Sequence, residues 1–156
     1  MFLLKFKYAF AIAMSIGFML AAGCATVPGK SLQIGYDQQS GAGEWPDKKL
    51  EEQFREYWFK RFSGHIEDAY IMESSSFREL YSLTKYRNYV QYTSRSRLIK
   101  IEIHDIQKVS EYLIKVDYDM LLETGDVKPI EVSAADRWVY SDGKWYHVIR
   151  DPFFPT

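Results

Sequence analysis

The sequence predicts an α+β domain in which N-terminal helices pack on a curved antiparallel sheet. Apolar residues recur at helical spacing from Asp47 onward, and beyond Arg97 the period changes to two. Aromatic residues make up 17% of the chain, which favours a β-rich domain with a large apolar interior. With 156 residues, 47% of them hydrophobic, the chain can bury one core, so we expect one folded domain.

The helical part begins at residue 47. Large apolar side chains recur there at spacings of three and four as far as Gly64, which predicts a first helix over 47–63. Ile66 and Tyr70 indicate a second, short helix. The positions that carry these two predictions are Leu50, Phe54, Tyr57, Trp58, Arg61, Ile66, Ala69 and Tyr70.

A third helix is predicted from a capping box. Ser76 is followed three residues later by Glu79, a spacing in which each side chain can bond the other residue's backbone N–H. We therefore expect a helix around 77–83. Tyr86, Tyr89 and Val90 continue the helical spacing beyond it.

Alternating residues predict four strands in the second half of the chain. Apolar and charged residues alternate over 99–103, 112–122 and 130–140, as in half-buried strands. Asp142-Gly143 is typical of a two-residue hairpin turn and leads into a last strand over 145–150. Helices followed by an antiparallel meander place the helices on one face of the sheet.

The N-terminus has the three parts of an export signal. Lys5 and Lys7 precede an uncharged apolar run from 8 to 22, which is shorter than the roughly twenty residues of a membrane-spanning helix. Small residues then lead to Cys24, the only cysteine. The predicted cleavage segment is Leu20, Ala21, Ala22 and Gly23.

This segment resembles the lipobox of bacterial lipoproteins. The resemblance implies that residues 1–23 are a cleaved signal peptide and that Cys24 receives a diacylglycerol and, on its new amino group, a fatty acyl chain such as palmitate. It departs from the family at Ala21, where a large aliphatic residue is usual and Leu20 stands one place further out. Ala25 implies sorting to an outer membrane, facing the periplasm. The alternatives are a plain secretory signal that leaves a free thiol, and an inert buried cysteine in an uncleaved helix.

Residues 24–46 are expected to be a lipidated flexible tether, because glycines and prolines interrupt every apolar pattern there. The domain is then expected over 47–156. Its predicted membrane partner is the bilayer, through acylated Cys24, since several acyl chains anchor a protein far more firmly than one.

Four segments of the predicted domain share a pattern with a known superfamily. They are Phe54-Arg55-Glu56-Tyr57-Trp58, Asp68-Ala69-Tyr70, Ser76-Phe77 and the closing hairpin from Asp136 to Tyr146. On these segments, over about residues 47–152, the chain resembles the nuclear transport factor 2-like superfamily, which includes ketosteroid isomerases and scytalone dehydratases. The resemblance implies a curved sheet wrapped on helices around a cone-shaped pocket, and many members are not enzymes.

The closing hairpin also predicts a candidate site. With Asp142-Gly143 as the turn, Asp136 and His147 become diagonal neighbours on one face, which also carries Trp138, Tyr140 and Trp145. A carboxylate that orients an imidazole in an apolar pocket is a general acid/base pair. The alternatives are a satisfied polar pair in the core and an Asp136 bonded to a helix arginine.

Two further residues are secondary candidates for the pocket, Asp68 and Tyr70 in the second helix. A surface acid and a core aromatic are the commoner explanations of such residues. We expect no metal, since three scattered histidines lack ligand spacing, and no cofactor, since the chain has no glycine-rich phosphate loop.

Charge argues against nucleic-acid binding. Without Lys5 and Lys7 the chain keeps 18 basic and 21 acidic residues, a formal charge of −3, and the two signs are interspersed. At the C-terminus, Phe153 and Phe154 lie between prolines and are expected to pack over the cone or to contact a partner.

Three functional hypotheses remain. The first is a membrane-tethered, non-catalytic domain that binds an envelope protein partner or a small apolar ligand through its cone. The second is an isomerase or dehydratase that uses Asp136 and His147. The third is a structural module of envelope assembly or dimerisation that uses the exposed face of the sheet. A deep pocket with converging polar groups favours the enzyme, a pocket filled by Trp138 and Trp145 favours the structural module, and an open apolar pocket favours ligand binding.

Overall fold

The computed structural model describes residues 32–37, 44–93 and 95–149. The expected signal peptide, Cys24, and the Phe153-Phe154 pair lie outside these residues. The described part forms an α+β domain, as predicted. Its elements are β1 (Gln33–Tyr36), α1 (Lys48–Phe62), α2 (Ile66–Ile71), α3 (Ser75–Leu80), α4 (Leu83–Thr93), β2 (Arg97–Ser110), β3 (Leu113–Glu123), β4 (Ile130–Ser141) and β5 (Lys144–Val148).

The first two helices lie where the spacing placed them. Asp47 caps α1, because its side chain accepts the backbone N–H of Lys49 at 2.9 Å. Gly64 ends the segment with a φ of +87°, a conformation that glycine adopts without steric cost.

The predicted capping box was wrong by two residues. Ser74 is the N-cap of α3, and its hydroxyl accepts the backbone N–H of Phe77 at 3.4 Å. Ser76 lies inside the helix and faces Ser74 instead, with 3.3 Å between the two hydroxyl oxygens. The single helix expected over 77–83 is also interrupted, since Tyr81 is extended and separates α3 from α4.

The five strands form one sheet in the order β1-β2-β3-β4-β5. All neighbours from β2 to β5 are antiparallel. Asp142 and Gly143 have φ values of +52° and +79°, so both residues of the turn are left-handed as a type I′ hairpin requires. The turn fixes the predicted register, in which Tyr140 pairs with Trp145 and Trp138 with His147.

One strand lies within the range expected to be a flexible tether. Residues Gln33–Tyr36 pair in parallel with β2, and Gln33 lies opposite Lys100. The carbonyl of Ile34 also accepts Arg55 Nη1 at 3.1 Å, which joins the strand to α1. The packed part of the chain therefore begins before Asp47.

The core lies between α1 and the concave face of the sheet. Phe54 packs edge-on against Tyr118 at 5.6 Å between ring centroids, and Tyr57 against Trp138 at 5.7 Å. The side chains at the start of β4 are not buried, since Ile130 and Val132 are exposed. The alternation had predicted a strand half-buried along its whole length. The helices cover only the later half of this strand.

Among the helices of the described residues, none is both long and apolar enough to cross a membrane.

Candidate functional site

The predicted pair meets in the core. His147 Nε2 lies 3.1 Å from Asp136 Oδ1, an ion-pair contact. The hairpin register explains the approach, because Trp138 pairs with His147 and places Asp136 one diagonal step away on the same face.

A third residue, Glu73, completes the site and was missed by the sequence analysis. His147 Nδ1 lies 2.9 Å from Glu73 Oε2, so the imidazole is held between two carboxylates. Glu73 follows α2 and forms a bridge to His147 on the free side of β5: the His147 N–H donates to Met72 O, and the Ser74 N–H donates to His147 O, each at 2.9 Å. Residues in a connection between helices carry no periodic signal, so the sequence pattern could not identify Glu73.

Helix α1 supplies the remaining partners of both carboxylates. Tyr57 donates its hydroxyl hydrogen to Glu73 Oε1 at 2.7 Å, and Trp58 Nε1 donates to Asp136 Oδ2 at 3.1 Å. The Tyr57 ring stacks on His147 at 4.2 Å between centroids. Arg61 Nη1 in turn donates to the Tyr57 hydroxyl at 3.3 Å. Tyr57, Trp58 and Arg61 are successive positions on the buried face of α1, which explains why one helix reaches the whole network.

The charges of the network balance. Burial by itself lowers the pKa of His147, but the charges of Glu73 and Asp136 outweigh burial and raise this pKa to about 9. His147 is therefore a cation at neutral pH. With Arg61 it provides two buried positive charges against two buried carboxylates. Burial and the charge of Glu73 raise the pKa of Tyr57, which keeps its hydroxyl protonated as the donor.

The network does not reach solvent. Glu73 is 0%, His147 3% and Asp136 7% exposed, and Trp138 at 0% fills the space beside them. Trp145 is also buried, and its Nε1 donates to Asp47 Oδ2 at 2.8 Å. The buried imidazole has a carboxylate oxygen beside each nitrogen, although the Nε2 contact lacks hydrogen-bond geometry, so this arrangement supports the core-pair alternative more than the catalytic one.

The two secondary candidates lie apart from this network. Tyr70 donates to the carbonyl of Tyr81 at 2.7 Å and lies 3.2 Å from that of Arg78, so it ties α2 to the α3 region. Asp68 is exposed at the mouth of a surface cleft. Tyr140, the remaining candidate, is half-buried and packs on Trp145 at 5.1 Å between ring centroids.

The cleft runs between α1, α2 and the outer side of β5 and has a volume of about 270 Å³. Its lining combines the apolar side chains of Ile71 and Trp145 with cations and acids from four elements, α1, α2, α3 and β5. The lining residues are Gln53, Glu56, Lys60, Asp68, Ile71, Met72, Arg78, Lys144, Trp145 and Tyr146.

The other two histidines have separate surroundings. His65 is exposed beside Phe59, at 6.5 Å between ring centroids. His104 Nε2 lies 2.7 Å from Asp119 Oδ2, and its Nδ1 lies 3.5 Å from Asp37 Oδ2. Over the described residues, no group of three or more histidine, cysteine or acidic side chains is arranged to hold a metal ion.

No protein-family model matches the chain, and no curated protein matches it. Solved structures do share its fold. A SEC-C motif containing protein from Rhodopseudomonas palustris is 11% identical with a TM-score of 0.53, and the match covers 65% of this chain and 76% of that one. Another from Psychrobacter arcticus is 16% identical with a TM-score of 0.54, over 70% of this chain and only 62% of that one.

A Campylobacter jejuni protein described as an NTF2-like transpeptidase is 12% identical with a TM-score of 0.52, and the match covers 66% of this chain and all of that one. NTF2 denotes nuclear transport factor 2, so this match supports an NTF2-like fold for the described residues. Identities this low show the fold alone.

Proposed function

We propose that this chain is a lipid-anchored envelope protein whose NTF2-like domain is a non-catalytic binding module. The anchor is supported by the lipobox-like segment that ends at Cys24. Outer-membrane sorting with the domain in the periplasm follows from Ala25 in the same resemblance. The domain is tethered to the bilayer and binds its partner in the periplasm.

The non-catalytic role is supported by one observation, the closure of the Glu73–His147–Asp136 network. These polar groups converge in the cone and contact one another among packed tryptophans. The interior of the cone is then core and holds the buried Trp138 and Trp145, which by the criterion above favours the structural module over binding inside the cone. The proposed recognition therefore takes place at the surface and not through the cone.

The surface cleft fits a segment of a protein partner better than a small apolar ligand. Ile71 is 60% exposed at its edge, while Lys144 and Asp68 bring opposite charges within the same lining. A peptide carries backbone dipoles, charged side chains and apolar side chains together, and each has a counterpart here. A purely apolar ligand would leave these charges desolvated without partners.

A photo-crosslinking amino acid at Ile71 is expected to capture one envelope protein in intact cells. The matched control places the same amino acid at Val109, which is 56% exposed near the end of β2. Adding Lys144→Glu to the Ile71 probe should remove the product, because it reverses a charge of the cleft. Equal products from both positions, or no product at Ile71, would contradict the proposal, and a crosslinked homodimer would favour the structural-module hypothesis.

The proposed lipid anchor predicts the mass of the mature protein. Protein from the membrane fraction should begin at Cys24 and carry acyl chains, whereas Cys24→Ser should keep residues 1–23 and carry none. Intact-mass spectrometry of both proteins measures this directly. Cleavage at another residue, or a mature protein without lipid, would contradict the proposed lipid anchor and indicate a free secreted domain.

The second candidate remains an isomerase or dehydratase, and the 3.1 Å contact of Asp136 with His147 is the observation that favours it. This chemistry requires a conformation in which His147 is released from one carboxylate and reaches substrate. Loss of a measured turnover in His147→Gln, with the Ile71 crosslink unchanged, would favour this candidate over the binding module.

A further inference from the structure

The parallel pairing of β1 fixes the end of the sheet at which the N-terminal segment enters. Gln33 lies opposite Lys100, and Tyr36 opposite Ile103. The chain therefore enters beside the start of β2. Because β3 is antiparallel to β2 and β4 to β3, the same end carries the end of β3 and the start of β4. We call this end, with the turn over 124–129 that joins those two strands, the entry end.

The entry end exposes apolar side chains. Val127 is 67% and Ile130 52% exposed. Within the turn, the Val127 N–H donates to Thr124 O at 3.3 Å, and Gly125 has a φ of +56°. Asp126 and Lys128 flank Val127 with opposite charges, so apolar contact and not net charge would drive binding to a surface here.

The length of chain between Cys24 and the described domain limits which end of the domain can contact the bilayer. Seven residues, 25–31, separate Cys24 from Leu32, where the described chain begins. Fully extended, they let Leu32 lie at most about 27 Å from Cys24. The opposite end of β2, at Ser110, lies ten residues beyond Lys100, or about 33 Å along the strand. The entry end therefore reaches the bilayer easily, whereas the opposite end exceeds the span of the tether.

We propose that the entry end lies on the lipid bilayer, with Val127 and Ile130 in the boundary between headgroups and acyl chains. This inference rests on the proposed lipid anchor at Cys24. It also orients the cleft, because Lys144 pairs with Ser141 at the far end of β4. The cleft then lies on the half of the domain farther from the membrane, where a periplasmic partner reaches it.

The test attaches the mature chain, Cys24 to Thr156, through the Cys24 thiol to maleimide-bearing lipid in phosphatidylcholine vesicles. Val127→Trp adds a fluorophore at the entry end, and Val109→Trp adds one at the opposite end, at a valine of similar exposure. With brominated acyl chains in the vesicles, Val127→Trp should lose its added fluorescence and Val109→Trp should keep it. The unmodified chain provides the signal of its own tryptophans for subtraction.

Equal quenching of the two variants, or stronger quenching of Val109→Trp, would overturn the proposed orientation. Slower hydrogen exchange over 124–132 on vesicles than in solution gives a second readout that needs no substitution, and unchanged exchange would count against contact. Because the coupling is chemical, this result does not depend on lipidation in the cell. If the proposed lipid anchor is wrong, the mass of the cellular protein shows it. If the proposed orientation is wrong, only the vesicle experiment shows it.

Discussion

Glu73→Gln is expected to lower the free energy of unfolding by about 3–5 kcal/mol, the range seen when one partner of a buried ion pair is removed. Glutamine has nearly the same shape, so the effect comes from charge and not from a cavity. Without the Glu73 carboxylate, the network loses one of its two buried negative charges, and His147 loses the charge that contributes most to raising its pKa. Chemical denaturation, followed by the change in the denaturant midpoint, measures the loss.

The matched control is Glu79→Gln in α3, the same substitution at an exposed position. It should change stability by no more than about 0.5 kcal/mol, as is usual for surface sites. A double-mutant cycle of Glu73→Gln with His147→Gln then isolates the coupling of the two side chains. A Glu73→Gln protein as stable as the Glu79→Gln protein would show that the network contributes little.

The contact of Asp136 with His147 could be predicted because it depends on local chain geometry. A two-residue turn fixes the register of the hairpin, and the register fixes which side chains share a face. The boundaries of α1 were predictable for the same reason, since Asp47 and Gly64 act on neighbouring backbone groups.

Glu73 and β1 could not be predicted because their positions depend on contacts distant in sequence. Glu73 reaches His147 across 74 residues of chain. Strand β1 is short, contains Gly35, and pairs with a strand more than sixty residues away, so nothing in its own four residues distinguishes it from a tether. Likewise, alternation in β4 shows which side chains face inward but not how far the helices extend over Ile130 and Val132.

The network also accounts for how β5 is covered. Met72 and Ser74 bond the outward backbone groups of His147, and Gln53 Oε1 accepts the Trp145 N–H at 3.0 Å. The outer edge of β5 is thereby paired where a bare edge would invite another strand. We expect Glu73 to hold this connection in place, since it is the side chain that joins the segment to the imidazole beneath it.

The second large effect is a loss of stability as pH rises from about 6.5 to 9. The folded protein holds the pKa of His147 at about 9, and an unfolded histidine titrates near 6.5. Between these values the folded state binds a proton that the unfolded state has released, so the free energy of unfolding falls with pH. The contribution is fully present below pH 6.5 and amounts to about 3 kcal/mol, at 1.36 kcal/mol per pKa unit.

Two variants separate the contribution of His147 from that of other groups whose stabilisation is also lost as pH rises. His104 also has a raised pKa, chiefly through its bond with Asp119, and its contribution is lost in the same direction as pH rises. His104→Gln should keep most of the slope because that side chain is about one third exposed and therefore screened, whereas His147→Gln should flatten it. The measurement is urea denaturation in steps from pH 6 to 9.5. A wild-type protein equally stable across this range would mean that His147 is neutral in the folded state. One of the two carboxylates would then face a ring nitrogen that carries no proton.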